Sequence, residues 1–380
     1  MKYPMFKVHI DIENALNELK ETLSSGFLNE GEKVKKFSEE IGKYLGEKNI
    51  VMTNSCTSAL TMALKLSGVG PGDEVITTSM TCLASNTPIQ NLGGKVVWAD
   101  INKHTGCIDP KSVRSKITNK TKAVICVNWA GIPCELEELQ EICNKNNIKL
   151  IQDAAHSFGA NLKGKSISKF ADFTCYSFQA IKHITTGDGG AIVCKSDKDF
   201  KKAKPMKWFG LDRDAAKDEK GEWKGQRWEV DVEEAGYKFH MNNISASIGL
   251  SQILHIDKIV KSHKDNGKTY ENTLKNVNGI KLLNISKEQD PAYWVYTLLL
   301  NEKINRDNVL KSLNEKGINA GLVHIPNHNY TCFSSSIDTL PGVEYFNKHQ
   351  ISLPCGWWLS KKDIIEISNT LIDEIKKYEN

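Results

Sequence analysis

Asn49-Ile-Val-Met-Thr53 is a short β-prone run, Asn54-Ser-Cys-Thr-Ser58 a polar turn, and Ser58-Ala-Leu-Thr-Met-Ala-Leu-Lys-Leu66 a stretch with apolar residues at helical spacing. A strand that feeds a helix through a tight turn is the unit from which parallel sheets are built. Six further β-prone runs follow: Glu74-Val-Ile-Thr-Thr78, Lys95-Val-Val-Trp98, Lys122-Ala-Val-Ile-Cys-Val127, Lys149-Leu-Ile-Gln152, Phe173-Thr-Cys-Tyr-Ser177 and Ala191-Ile-Val-Cys194. The early ones lead into turns or helical patterns such as Glu135-Leu-Glu-Glu-Leu-Gln-Glu-Ile142. The alternation predicts an α/β protein whose large domain holds a mostly parallel seven-stranded sheet covered by helices.

A chain of 380 residues, 40% of them hydrophobic, is long for one compact unit. Residues 244 to roughly 274 have long helical periodicity and are read as crossing from the large domain into a smaller C-terminal α/β domain. The expected division is residues 1–255 and 256–380. Residues 211–230, rich in Asp, Lys, Glu and Gly, read as an exposed loop. Trp357 and Trp358 suit either a carbohydrate platform or closure of the small-domain core.

The net charge of +4 comes from 50 basic and 46 acidic residues spread along the chain, which argues against a nucleic-acid partner. Ten scattered cysteines without a Cys-x-x-Cys pair read as reduced thiols of a cytoplasmic protein and give no metal site. The uncharged run at residues 75–94 carries too many Thr, Ser, Asn and Gln to span a bilayer, so no membrane association is expected.

Parallel sheets bind ligands beyond the carboxyl ends of their strands. Those positions are Ser55 to Thr57, Thr81 and Cys82, Asp153 to His156, and Ser177 to Lys182. Asp153 precedes two small residues, Ala154 and Ala155, that would let a flat ring come close. The turn before Ser58 points N–H groups outward from a helix start, where anions are favoured. Lys182 stands in Ser177-Phe-Gln-Ala-Ile-Lys-His-Ile-Thr-Thr-Gly-Asp-Gly-Gly190, among apolar residues that can desolvate an amine and lower its pKa. Each feature has an ordinary reading as well: an Asp closing a turn, a Ser/Thr helix cap, a solvated lysine before a glycine turn. In this order along one sheet edge, they match what pyridoxal 5′-phosphate (PLP) requires: a phosphate cradle, a partner for the pyridine nitrogen, and a lysine for the Schiff base.

With these motifs the chain resembles the sugar aminotransferases of the DegT/DnrJ/EryC1/StrS family, PLP enzymes of fold type I. The resemblance rests on Ser25-Gly-Phe-Leu-Asn-Glu-Gly31, Pro71-Gly-Asp-Glu-Val-Ile76, Asp153-Ala-Ala-His156, the stretch from Ser177 to Gly190, and Gly236-Tyr-Lys-Phe-His-Met241. It implies that Lys182 is the Schiff-base lysine, Asp153 the partner of the pyridine nitrogen and His156 the neighbour of the ring hydroxyl, with Cys56, Thr57 and Ser177 at the phosphate. The chain departs from the family at three points. Cys82 replaces an aromatic ring over the cofactor, Cys56 replaces a glycine of the phosphate turn, and Lys238 replaces an Asn that reaches the phosphate of the neighbouring subunit. Arg213 and His324 fall where the family contacts substrate; a loop cation and a buried strand histidine are equally open readings.

The resemblance implies a cytoplasmic homodimer with active sites at its interface. It would move an amino group from an amino acid, glutamate, to a nucleotide-linked keto-deoxysugar, passing through pyridoxamine 5′-phosphate. The product would feed surface-glycan or secondary-metabolite assembly. A smaller phosphorylated ketone needs the same chemistry with a different outer pocket. The family's sugar dehydratases replace the lysine by histidine; this chain keeps Lys182, with His183 only beside it. A non-catalytic sensor of PLP or a sugar nucleotide would be marked by loss of Lys182 or Asp153, and both are present.

Overall fold

The computed structural model describes residues 1–212, 230–333 and 339–378. Arg213 and most of the charged stretch at residues 211–230 lie outside these. In chain order the described strands are β1 (Ile50–Thr53), β2 (Glu74–Thr78), β3 (Lys95–Ala99), β4 (Thr121–Val127), β5 (Lys149–Asp153), the two-residue β6 (Asn161–Leu162) and β7 (Lys165–Ser166), β8 (Phe173–Ser177), β9 (Gly190–Cys194), β10 (Ile280–Leu282), β11 (Gln289–Asp290), β12 (Tyr296–Leu300) and β13 (Gln350–Leu353).

Seven of them form one sheet in the order β1-β9-β8-β5-β4-β2-β3, and these are the seven runs picked out above. The pairs β2·β3, β2·β4, β4·β5 and β5·β8 are parallel. Strand β9 runs antiparallel to both β8 and β1, so it alone is reversed and the other six strands end on the same edge. Most of the sheet's residues are buried, and β1, β2, β8 and β9 are buried along their whole length. Burial on both faces is why these runs are rich in apolar residues without a regular alternation, with Thr77, Thr78, Gln152 and Thr174 as buried polar members.

The polar run at residues 75–94 is strand β2 followed by the helix Leu83–Asn91. Thr77, Thr78, Ser79, Ser85 and Asn86 are all at or below 1% exposure. The helix Cys56–Leu66 follows β1 with Ser55 as its N-cap, accepting from the Ser58 N–H at 3.1 Å. The amphipathic helix Leu136–Lys145 buries Leu136, Leu139, Ile142 and Cys143. Among the described residues no helix is long and apolar enough to cross a membrane.

The helical periodicity over residues 244–274 belongs to two helices, Asn243–Ile253 and Ile256–Leu274. His255 turns the chain between them at φ −108° and ψ −1°, and its Nε2 is held 2.6 Å from Asp11 Oδ2. That partner comes from the far end of the chain, so periodicity alone does not mark the break. The second helix contributes Ile256 and Val260 to the core around the large sheet. It gives Tyr270 and Leu274 to a second core. The second core also packs the antiparallel sheet β10-β12-β13 and the helices Arg306–Glu315 and Lys361–Lys376. This is the fold type I layout of a large α/β domain and a smaller C-terminal one. Trp357 and Trp358 donate from their indole N–H groups to the backbone of Lys7 and Pro4, fastening the amino-terminal segment to the small unit.

Candidate active site

The six co-directional strands deliver their following loops to one edge, as the sheet topology requires. Asp153 ends β5 and is 4% exposed. Its Oδ2 accepts from Ser85 Oγ at 2.6 Å and its Oδ1 from the Ala155 N–H at 3.1 Å. Ser85 in turn contacts Thr81 Oγ1 at 2.8 Å. Burial raises the Asp153 pKa above the usual carboxylate range, while the Ser85 and Ala155 bonds and the charge of Lys182 oppose that rise. A carboxylate offers about four acceptor positions, so Asp153 retains capacity for another donor.

Lys182, in the turn after β8, is half-buried. Burial lowers its pKa to about 8, against the opposing pull of Asp153. Its Nζ lies 3.6 Å from the centre of the Trp294 ring. Trp294 is stacked between Phe6, 4.7 Å away, and His156, 4.0 Å away, and its indole N–H donates to the Ile181 carbonyl at 2.8 Å. His156 is 4% exposed, and burial, then Lys182, hold its pKa well below the ordinary imidazole value. Its Nε2 meets His324 Nε2 at 3.4 Å, whereas its Nδ1 is buried without a partner.

Cys56 opens the helix Cys56–Leu66 with ordinary negative φ, so the glycine freedom of the family's turn is not needed here. The close approach is taken by Gly190 instead: a Cβ there would sit 2.5 Å from the Cys56 N. The Cys56 thiol is buried, and burial pushes its pKa well up, so it packs as a neutral group. The first-turn N–H groups of Cys56 and Thr57 have no acceptor within the helix and suit an anion. Ser177 Oγ closes the adjacent turn by accepting from the Gln179 N–H at 3.3 Å. Cys82 is exposed, makes no capping bond and lies close enough to act electrostatically on Lys182. An aromatic surface beside the lysine is supplied by Trp294.

The structure thus gathers Asp153, His156, Lys182, Cys56, Cys82 and His324 at one edge. Lys238 sits apart from this group on the surface, its Nζ 3.6 Å over the Trp208 ring and 3.3 Å from His240 Nε2. Its segment runs beside the end of β1, where the Asn54 N–H donates to the Phe239 carbonyl at 2.7 Å. Arg213 lies outside the described residues. His183 faces the domain contact, with Nε2 3.0 Å from the Ala292 carbonyl and its ring 4.6 Å from that of His263.

Sequence reading missed Ser85, Trp294 and Asn327. Asn327 joins the small unit to the site by donating from Nδ2 to the Thr81 carbonyl at 2.8 Å and accepting from Asn86 Nδ2 at 2.9 Å. Ser85 and Asn86 carried a signal, being polar residues in an otherwise apolar frame; Trp294 and Asn327 carried none. Among the described residues no cluster of His, Cys, Asp or Glu suits a metal ion. The residues present do fit PLP. They provide a buried carboxylate with spare acceptor capacity, a lysine of lowered pKa, an orphaned imidazole nitrogen and an open helix start.

Comparison with known proteins agrees. The model of the DegT/DnrJ/EryC1/StrS aminotransferase family matches residues 9–372. The spore coat polysaccharide biosynthesis protein SpsC of Bacillus subtilis is 29% identical over 373 residues, 95% of this chain and 94% of that one. GDP-perosamine synthase of Escherichia coli O157:H7 is 29% identical over 349 residues, 92% of each chain. The crystal structure of the sugar aminotransferase CalS13 from Micromonospora echinospora superposes with a TM-score of 0.91 at 28% identity, over 98% of this chain and 100% of that one.

Proposed function

We propose, for a chain that belongs to the DegT/DnrJ/EryC1/StrS aminotransferase family and is a PLP-dependent transaminase, that it moves an amino group from L-glutamate to a nucleotide-linked keto-deoxysugar. Its product would enter surface-glycan or secondary-metabolite assembly. The observation that carries the chemistry is the placement at one sheet edge of the Lys182 amine, 3.6 Å from the centre of the Trp294 ring, and the buried Asp153 at the end of β5. Burial lowers the lysine pKa to about 8. Kinship with proteins named for a GDP-linked amino sugar and for a spore-coat polysaccharide supports the acceptor class.

When bound, PLP supplies an electrophilic carbon and an electron-withdrawing ring. Lys182 Nζ is the group that would hold the cofactor and, when free, would serve as the base and then the acid for the α-proton. Asp153 would keep the pyridine nitrogen protonated. The Cys56 and Thr57 N–H groups with Ser177 would hold the phosphate, while the Trp294 ring lies over the lysine amine. His183, turned to Ala292 and His263, is not placed to replace the lysine, which favours transamination over dehydration.

Purified protein should be yellow. Borohydride should fix the cofactor to Lys182, as read by peptide mapping; an adduct on another lysine would end the assignment. Mixing the protein and glutamate with keto-sugar nucleotides and small phosphorylated ketones, and following new amines by mass spectrometry, identifies the acceptor. Amination of only the small ketones would replace the sugar reading.

We also propose a homodimer in which Lys238 reaches the phosphate of the partner's site. The exposed apolar residues Val8, Ile10, Ile12, Leu16, Leu23, Phe27 and Leu28 support a covered face near the amino terminus. A charge-assisted contact of about 1.5–3 kcal/mol predicts that Lys238→Ala retains PLP roughly 10–100-fold less well while remaining dimeric. Inactive Lys182→Ala mixed with Lys238→Ala should regain activity when subunits exchange, because each heterodimer has one site with both lysines. No recovery despite demonstrated exchange would refute the cross-subunit role.

A further inference from the structure

His156 and His324 meet through their Nε2 atoms at 3.4 Å, with rings 11° from parallel and centroids 5.3 Å apart. Resting on the reading of Lys182 as the PLP lysine, we propose that His324 is a positioning residue. It fixes the tautomer of His156 so that the His156 Nδ1–H is presented to the cofactor's ring oxygen.

Both imidazoles are neutral. Burial, then the charge of Lys182, holds His156 well below its ordinary pKa and His324 at about 3. A neutral imidazole carries one N–H, so two Nε2 atoms in contact must be one donor and one acceptor. With His324 donating, His156 accepts at Nε2 and keeps its proton on Nδ1. That Nδ1 is the buried atom without a protein partner. The opposite assignment would aim a bare lone pair at an electron-rich ring oxygen. The His156 ring has little freedom to turn, being stacked on Trp294 at 4.0 Å and met through Nε2 by His324. His324 is itself anchored: its carbonyl accepts from Gln350 Nε2 at 3.1 Å, and its ring meets the Trp129 ring edge-on at 5.9 Å. The titratable groups facing the pair are Lys182, which acts on both rings, and His183, which acts on His156. Asp153 acts on Lys182 in turn.

A donor to the ring oxygen lowers the pH at which the visible band of the lysine-bound cofactor titrates. His324→Phe keeps a flat ring at the same place but has no N–H; His324→Gln can donate. Titrating the band of the reconstituted proteins should show the midpoint raised by about one unit in His324→Phe, with PLP binding several-fold weaker, and both largely restored in His324→Gln. His156→Phe, which has no donor, should produce the same shift, and adding His324→Phe to it should add nothing. In the wild-type protein, ¹⁵N shifts of labelled histidine should show His156 protonated on Nδ1, a readout that needs no variant. An unmoved midpoint in His324→Phe, additive effects in the double variant, or His156 protonated on Nε2 would each overturn the proposal. Failure of borohydride to fix PLP to Lys182 in the wild type would instead overturn the reading beneath it.

Discussion

Lys182→Ala is expected to reduce transamination by on the order of 10⁴-fold or more, since the variant lacks both the amine that holds the cofactor and the group that carries the α-proton. The fold should survive, because the side chain is half-buried and its recorded ring contact is the face of Trp294. The same lysine makes a prediction about pH. Its folded-state pKa is lowered to about 8, so the neutral, nucleophilic amine is gained as pH rises through that value. At pH ~7.5 roughly a quarter of such amines are neutral, against roughly 0.1% for a lysine of ordinary pKa. The rate at which apoprotein takes up PLP should therefore climb through pH ~8 and level off near pH ~9, after correction for ionisation of the free cofactor. A rate still rising near pH ~10 would show that Lys182 is not desolvated. Added methylamine should return part of the lost activity to Lys182→Ala, a rescue that a merely structural lysine would not show.

Asp153→Asn is expected to keep the fold and bind PLP, yet slow the half-reaction with glutamate by on the order of 10²–10³-fold. The local contacts of Asp153 can be met by an amide. An Asn Oδ1 accepts from the Ala155 N–H as the carboxylate does, and its Nδ2 donates to Ser85 Oγ, which now accepts from Asp153's position rather than donating to it. What the amide lacks is the negative charge that keeps the pyridine nitrogen protonated. Stopped-flow measurement of the visible band on mixing with glutamate reads this directly. An unchanged rate with intact PLP binding would return Asp153 to the role of closing the turn after β5.

Both predictions start from residues that local sequence marks. Lys182 and Asp153 each follow a short apolar run, and a side chain just past such a run must emerge at the edge of the sheet. The seven strands were legible for a related reason. A strand buried on both faces is mostly apolar and β-branched along its length, and that property is written in consecutive residues. The helix start at Cys56 was equally local, because Ser55 caps it from the adjacent position.

The break at His255 and the ring beside Lys182 were of another kind. Asp11 holds His255 from far along the chain, and Trp294, which packs in the core of the large sheet, reaches Lys182 from a segment also distant in sequence. Sequence by itself determined the α/β sheet, the order of its strands along the chain and the residues presented at its active edge, because these follow from short-range periodicity and turns. Only the tertiary structure decided how strongly Lys182 is desolvated, that Ser85 holds Asp153 and that His324 faces His156. Desolvation and paired hydrogen bonds depend on which distant segments exclude water from a group, and no local pattern specifies that.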